Sequence, residues 1–336
     1  MHGRKAIFNF ALATAAAFFC WLLYRNISRY SPAEIVASLG AIPFDHLALS
    51  IAFAAVSYGC LTGFDAFGLI YAGKSLNYRK AALTSFVSLS IGHNIGLSAL
   101  SSGAIRYRFY SRWGLTAEDV TKVVLFSGAT VTVGLLSLCG WAMLMSASSA
   151  VVVGLERRAA FFIGMALLAV LALYLILCWQ IRRPLTVRKW KVNLPSLPLA
   201  IVQLLLGTTN FAFICASLQQ LLLAYQDVHY WEVSAVYAIA NGMAIATHVP
   251  GGLGVLEATT QCLLPQAATI GAVIAFRCVY FFLPLPFGVL LLAISERVFR
   301  KDASKTNSVG PATPLSFASI SRQIVRVAWV FSDRIT

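Results

Sequence analysis

Residues 159–179 read AAFFIGMALLAVLALYLILCW, an apolar run that contains no charged residue. An α-helix rises about 1.5 Å per residue, so about 20 apolar residues are needed to cross the hydrocarbon core of a bilayer. The run therefore predicts a membrane-spanning helix. Further apolar segments of sufficient length predict spans at 6–24, 47–73, 120–146, 197–223 and 268–295.

The composition of the whole chain agrees with a membrane protein. Of its 336 residues, 59% are hydrophobic and 11% are charged, and the mean hydropathy is +0.78. A soluble domain carries about 25% charged residues, and it needs polar groups to cover its surface. We therefore predict an all-α fold, a polytopic transmembrane helical bundle.

The net charge of +14 comes from Lys and Arg residues that stand mostly between the apolar segments. This distribution is typical of cytoplasmic loops and of contact with anionic lipid headgroups. A nucleic-acid-binding protein would carry its basic face on a soluble core, which this composition excludes. We expect the membrane and its phospholipid headgroups, and no nucleic acid, as partners of these charges.

Two further apolar segments, 81–105 and 236–262, are interrupted by glycine. The first contains GHNIG at 92–96, and the second contains PGGLG at 250–254. Glycine and proline weaken a helix interior, and broken backbone at membrane depth has to be buried in protein or line a wet cavity. Each segment is therefore predicted to be a re-entrant broken hairpin, and the alternative is a plain span with scattered glycines.

The positions of the basic residues favour the hairpins over plain spans. If both hairpins enter and leave by one face and the N-terminus is cytoplasmic, most Lys and Arg residues lie in the cytoplasm. The exceptions are four arginines at the outer face and one within a span: Arg25, Arg29, Arg157, Arg158 and Arg277. About six full spans and two hairpins then form an inverted repeat, an arrangement common in transporters.

Ionisable residues within the predicted spans and hairpins are candidates for a substrate-binding site. A charged side chain at the bilayer centre costs about 2.5–3.5 kcal/mol on insertion scales, so each one needs a partner or a function. Asp65 lies in a span, Glu257 follows the second glycine break, and Arg277 lies in the last span. Either carboxylate could bind an ammonium group or pair with a nearby Arg, and Arg277 is a candidate partner for both.

Arg106 and Arg108 follow the first interrupted segment, in the stretch AIRYRFY at 104–110. A guanidinium group binds phosphate oxygens in a bidentate fashion, so these two residues could hold a phospholipid phosphate. The alternative is ordinary anchoring of a basic loop at the cytoplasmic face.

The glycine breaks contribute four more candidates for the same site. Gly251 and Gly252 can present backbone N–H groups, and the helix that follows them directs the positive end of its dipole at the break. His93 and Asn94 lie at the first break. A structural hydrogen-bonding role is the alternative to substrate binding for these two side chains.

The sequence contains no HExxH zinc motif and no GxSxG nucleophile elbow. We expect that the chain is not an enzyme, has no catalytic residues, hydrolyses no ATP, and uses no cofactor and no metal.

Several motifs together resemble a known family. GHNIG at 92–96, SGAIRYRFY at 102–110, WGLT at 113–116 and VPGGLGVLE at 249–257 are similar to motifs of the transmembrane region of the lysylphosphatidylglycerol synthase family. The likeness covers most of residues 1–300. In the bifunctional members, called multiple peptide resistance factor, this region is the flippase part of the protein.

The resemblance implies a function and functional positions. The flippase region of that family moves aminoacylated phosphatidylglycerol to the outer leaflet, which gives resistance to cationic antimicrobial peptides. The resemblance implies that Asp65 and Arg106 are functional and, more weakly, that Glu257 is functional too. We expect a stand-alone member of that family, without the aminoacyl-transfer domain of the bifunctional members.

We therefore predict phospholipid translocation across the bacterial inner membrane, with an aminoacylated or other phosphatidylglycerol-type lipid as the substrate. The alternatives are a secondary transporter of a small charged solute and a non-catalytic membrane partner of a lipid-synthesis enzyme. We expect a membrane domain at 1–301, a basic, partly disordered cytoplasmic tail at 302–336, and both termini in the cytoplasm. A separate lipid-synthesis enzyme and a homodimer remain open as partners.

Overall fold

A computed structural model describes residues 32–95, 98–145, 156–181, 185–187, 190–247, 252, 254–264 and 269–306. Within these residues the chain is an all-α transmembrane bundle, as the sequence predicts. Helices long and apolar enough to cross a membrane are Phe44–Tyr71, Ala117–Met145, Arg157–Gln180, Leu197–Leu223 and Ile270–Phe299. They confirm five of the six predicted spans, and the span predicted at 6–24 lies outside the described residues.

The helices are labelled in chain order. They are α1 Pro32–Gly40, α2 Phe44–Tyr71, α3 Tyr78–Ile95, α4 Ser98–Tyr110, α5 Ala117–Met145, α6 Arg157–Gln180, α7 Leu197–Leu223, α8 Tyr230–Thr247, α9 Val255–Leu263, α10 Thr269–Arg277 and α11 Pro284–Thr306. A π-helical turn at Cys278–Phe282 joins α10 to α11, so the last span is not a regular α-helix throughout.

Each glycine-interrupted segment is a pair of helices that pack against each other, α3 with α4 and α8 with α9. The first break follows Ile95, close to the glycines that predict it. A Cβ built at Gly92 would lie 3.0 Å from the Cβ of Ser102, so glycine allows the two arms to approach this closely. The helix pairs that the hairpins require are present, with one correction: Arg106 and Arg108 lie within α4 and not after the first pair. That each pair enters and leaves by one membrane face stays a prediction.

Helices α2 and α7 pack together along a row of small polar side chains. Ser50 and Ser217 share a hydrogen bond of 2.8 Å between their Oγ atoms, and Ser57 donates to Asn210 Oδ1 at 2.8 Å. Residue numbers rise along α2 while they fall along α7, so the two helices are antiparallel. Hydroxyl and amide pairs of this kind hold helices together where lipid offers no hydrophobic gain from association.

Helices α5 and α7 run in the same direction. Gln203 donates to the backbone carbonyl of Phe126 at 3.1 Å, and one turn further along both helices Gly207 faces Thr130. The predicted inverted repeat requires the helix that begins the first half, α2, and the helix that begins the second, α7, to run in opposite directions, and they do.

One stretch of sequence matches the pattern of an ATP-binding loop, although we expect the chain to hydrolyse no ATP. GLIYAGKS at 68–75 matches the pattern GxxxxGK[ST], which binds phosphates where it forms the loop from a strand to a helix. Its first four residues form the end of α2, and Lys74 pairs with Asp119 at 3.2 Å. The pattern is therefore the end of a membrane helix, and the context that phosphate binding needs is not found among these residues.

A short antiparallel β-hairpin, Leu185–Val187 with Trp190–Val192, lies between α6 and α7 and was not predicted. The chain separates into two compact units, one of residues 23–292 and one of residues 1–22 with 293–336. The first unit holds the helices from α1 to the start of α11. Of the second, the structure describes 293–306, where α11 continues past the predicted boundary at 301; the rest of the predicted tail lies outside the described residues.

The close contact of α5 with α7 generates a stability prediction. A Cβ on Gly207 would lie 2.4 Å from the carbonyl oxygen of Thr130, so Gly207→Ala forces the two backbones apart. We expect a loss of about 1–3 kcal/mol, the usual cost of overpacking, measured as a lower thermal unfolding midpoint in detergent. Gly128→Ala is the control, since its Cβ would meet no described atom within 4 Å. An equal loss in both variants would contradict the packing argument.

Candidate functional site

The first half of the bundle contains a buried ion pair between Asp65 on α2 and Arg106 on α4. The Nε atom of Arg106 donates to both carboxylate oxygens, at 3.0 and 2.9 Å, and Nη2 donates to Oδ1 at 2.7 Å. The two side chains are 0% and 3% exposed. The guanidinium therefore holds the carboxylate through a planar fork that is closed to solvent.

Two other side chains of α4 form hydrogen bonds to this pair. Tyr110 donates its hydroxyl to Asp65 Oδ2 at 2.7 Å, and Arg106 Nη1 donates to Ser102 Oγ at 2.9 Å. Residues 102, 106 and 110 are four apart, so they lie on one face of the helix. That spacing is visible in the sequence and could have identified Ser102 and Tyr110, which the sequence prediction missed.

The second half contains another Arg–carboxylate pair, between Glu257 on α9 and Arg277 on α10. The Nε atom of Arg277 donates to Glu257 Oε1, and Nη2 donates to Oε2 at 3.0 Å. Nη2 also donates to the backbone carbonyl of Gly252 at 2.9 Å. Of the two partners considered for Arg277, the structure therefore selects Glu257.

The second glycine break supplies a backbone donor to the same carboxylate. The N–H of Gly254 donates to Glu257 Oε2 at 2.9 Å, which forms a capping box at the start of α9. Gly252 and Gly254 have φ values of +60° and +79°, which explains glycine at both positions. Gly251, a predicted site residue, lies outside the described residues.

The first hairpin contacts the π-helical turn, and Arg277, which binds the second hairpin, directly precedes and contacts the same turn. Asn94, at the tip of the first hairpin, donates to the backbone carbonyl of Phe281 at 2.9 Å. The His93 ring stacks on Tyr280 with 6.3 Å between centroids, and the Arg277 guanidinium lies 5.5 Å from the centre of the Phe281 ring. A π turn frees backbone carbonyls from the regular helical pattern, and such turns are frequent at functional sites.

His93 contacts the π turn through its ring, which packs against Tyr280 and Phe281. Its Nδ1 atom is buried and has no hydrogen-bond partner among the described residues. A buried nitrogen without a partner is uncommon and marks a place where water or a ligand atom would be accommodated.

The structure brings most of the predicted site residues together but not all of them. Asp65 and Arg106 form one pair and Glu257 and Arg277 the other, with Gly252 beside the second pair, while His93 and Asn94 contact the π turn. Arg108 is exposed on α4, away from the face that carries Arg106. Tyr280 and Phe281, which contact His93, were not predicted.

The buried pair in the first half generates a second prediction. Removing one partner leaves a buried charge uncompensated, which costs about 3–5 kcal/mol. We therefore expect Asp65→Asn and Arg106→Met each to lower the thermal unfolding midpoint strongly, and the double variant to lose less than the sum of the two. Strictly additive losses would contradict a direct pair.

The Glu118–Lys122 ion pair provides the control for these single and double variants. Its nitrogen and oxygen are 2.8 Å apart, but the side chains are 77% and 39% exposed. Exposed pairs contribute less than about 1 kcal/mol, so Lys122→Met should leave the midpoint almost unchanged.

Comparison with known proteins gives the chain its relatives. No family model matches it. It is 28% identical to the "Inner membrane protein YbhN" of Escherichia coli strain K12 over 299 residues, which cover 85% of this chain and 87% of that protein. It is 30% identical to the "Uncharacterized protein slr0712" of Synechocystis sp. over 278 residues, which cover 81% of this chain and 86% of that protein. The chain therefore belongs to the same family as the Synechocystis protein slr0712.

Proposed function

We propose that this multi-pass membrane protein moves a phospholipid between the two leaflets of a bacterial inner membrane. The observation that carries the proposal is a pair of Arg–carboxylate contacts, one for each broken hairpin, of which the first is buried and the second is partly buried. The substrate is a phosphatidylglycerol-type lipid, in aminoacylated or unmodified form.

The chemistry of the two pairs suits a phospholipid headgroup. Its phosphodiester requires a cationic donor with two parallel N–H groups, which a guanidinium provides. Where a headgroup also carries an amino group, a carboxylate released from its arginine can accept the ammonium. Buried charges of both signs in a helical membrane protein commonly mark the path of a polar substrate.

The fold supports movement across the bilayer. Two halves of opposite direction, each with a broken hairpin, give a bundle that can open to either side while the site between the hairpins stays in place. The fatty-acid chains remain in the lipid while the headgroup follows the polar route. The exposed apolar surface of α6, which includes Phe162 and Leu173, suits contact with that lipid.

The relatives and the motifs agree with this location and substrate. One relative is named as an inner membrane protein, and we propose the same membrane for this chain. The resemblance to the flippase part of the lysylphosphatidylglycerol synthase family points to the same class of lipid. We propose cytoplasmic termini because Arg79, Lys80, Arg108 and Arg112 then lie on the cytoplasmic side.

The test is leaflet exchange in liposomes that contain the purified protein. Fluorescent phosphatidylglycerol is added, and a membrane-impermeant quencher reports the fraction in the outer leaflet over time. We expect exchange well above that of empty liposomes, and at least a tenfold slower rate for Arg277→Gln, since about 1.4 kcal/mol corresponds to a factor of ten.

The matched control removes the same charge elsewhere. Arg158 is exposed at the start of α6, so Arg158→Gln should exchange lipid at the wild-type rate. Each variant is first checked for folding by its unfolding midpoint. Exchange by the wild type at the rate of empty liposomes would refute translocation, and equal loss in both variants would refute the role of Arg277.

A further inference from the structure

We propose that the Glu257 carboxylate is an internal competitor that occupies the phosphate-binding position of the protein. That position, here called the Arg277 site, consists of the Arg277 guanidinium and the Gly254 N–H. In the proposed translocation, whose substrate class this inference adopts, the phosphodiester of an anionic phospholipid displaces Glu257 and takes its place.

The geometry of the Arg277 site is that of an anion-binding site with its anion already present. The Glu257 carboxylate accepts from Arg277 Nε and Nη2 and from the N–H of Gly254. A phosphodiester presents two oxygens to the same two groups, a bidentate fork and a backbone amide at the start of a helix. The carboxylate and the phosphodiester therefore compete for one set of donors.

The second pair can open, whereas the first is closed. The Glu257 side chain is 15% exposed, and the Asp65 side chain is 0% exposed and held additionally by the Tyr110 hydroxyl. Glu257 is therefore the more accessible of the two carboxylates to an incoming headgroup.

When the pair opens, Glu257 moves and Arg277 stays. Arg277 is 3% exposed and is fixed by the Gly252 carbonyl at 2.9 Å and by the Phe281 ring at 5.5 Å. The Glu257 side chain is partly exposed and can rotate toward that exposed side. Arg277 thus keeps its position next to the π turn, and an anion that replaces Glu257 lies close to both hairpins.

The experiment measures binding of short-chain phosphatidylglycerol to the full-length protein in detergent by calorimetry. Glu257→Gln retains the size of the side chain and removes the competing charge, so we expect about tenfold tighter binding or more, as for the loss of one charge-assisted contact. Glu118→Gln, which makes the same charge change at an exposed pair with Lys122, should bind as the wild type does.

A second readout separates this role from a purely structural one. Glu257→Gln leaves Arg277 without its charge partner, so its unfolding midpoint should fall in the absence of lipid and recover further than that of the wild type when lipid is added. Unchanged or weaker binding by Glu257→Gln would overturn the proposal. If Glu257→Gln does not fold, Glu257→Asp takes its place, because its shorter side chain reaches Arg277 less well. Glu257→Asp should then bind the lipid more tightly than the wild type does, and equal affinity would overturn the proposal.

The outcomes distinguish this inference from the proposed function. If glycerol 3-phosphate binds with the same dependence on Glu257, the Arg277 site is supported and a lipid source for its anion is refuted. If Glu257→Gln gains affinity while wild-type liposomes exchange no lipid, competition by Glu257 is supported and translocation is refuted. If lipid exchange is present without any gain in affinity, translocation is supported and competition by Glu257 is refuted.

Discussion

Charge at membrane depth has to be paired, and the Asp65–Arg106 contact satisfies this constraint in the first half of the chain. The contact joins the last two turns of one membrane span to the second arm of a broken hairpin. Because Ser102 bonds Arg106 and Tyr110 bonds Asp65, one face of α4 is held against α2 over about two helical turns. The position of the first hairpin tip, where His93 contacts the π turn, follows from this attachment.

The π turn between α10 and α11 connects that hairpin to the second half. It offers backbone carbonyls to side chains from the first half, since Tyr58 donates to the carbonyl of Tyr280 and Asn94 donates to that of Phe281. Arg277, directly before the turn, binds the second hairpin. One short segment of irregular helix therefore contacts the first hairpin and directly follows the residue that binds the second.

Much of this arrangement could be predicted from the sequence, because apolar length, glycine breaks and basic loops are local signals. They gave the spans, both hairpins and the candidate charges. The pairing of Asp65 with Arg106 depends on how α4 packs against α2, which no local pattern contains. The π turn was missed for a similar reason, since Tyr280 and Phe281 pack against aromatic rings of distant segments. The two short strands Leu185–Val187 and Trp190–Val192 were also missed.

The inverted repeat does not reproduce the same site twice. In the first half, the carboxylate lies on the span before the hairpin and the arginine on the hairpin itself. In the second half, the carboxylate lies on the hairpin, next to its glycine break, and the arginine on the span that follows. A carboxylate within a regular helix is fixed by its neighbours, whereas one beside a glycine break can move. The proposed exchange of Glu257 with a substrate depends on this difference in placement, since Asp65 is fully buried and bonded by Arg106 and Tyr110, whereas Glu257 is partly exposed.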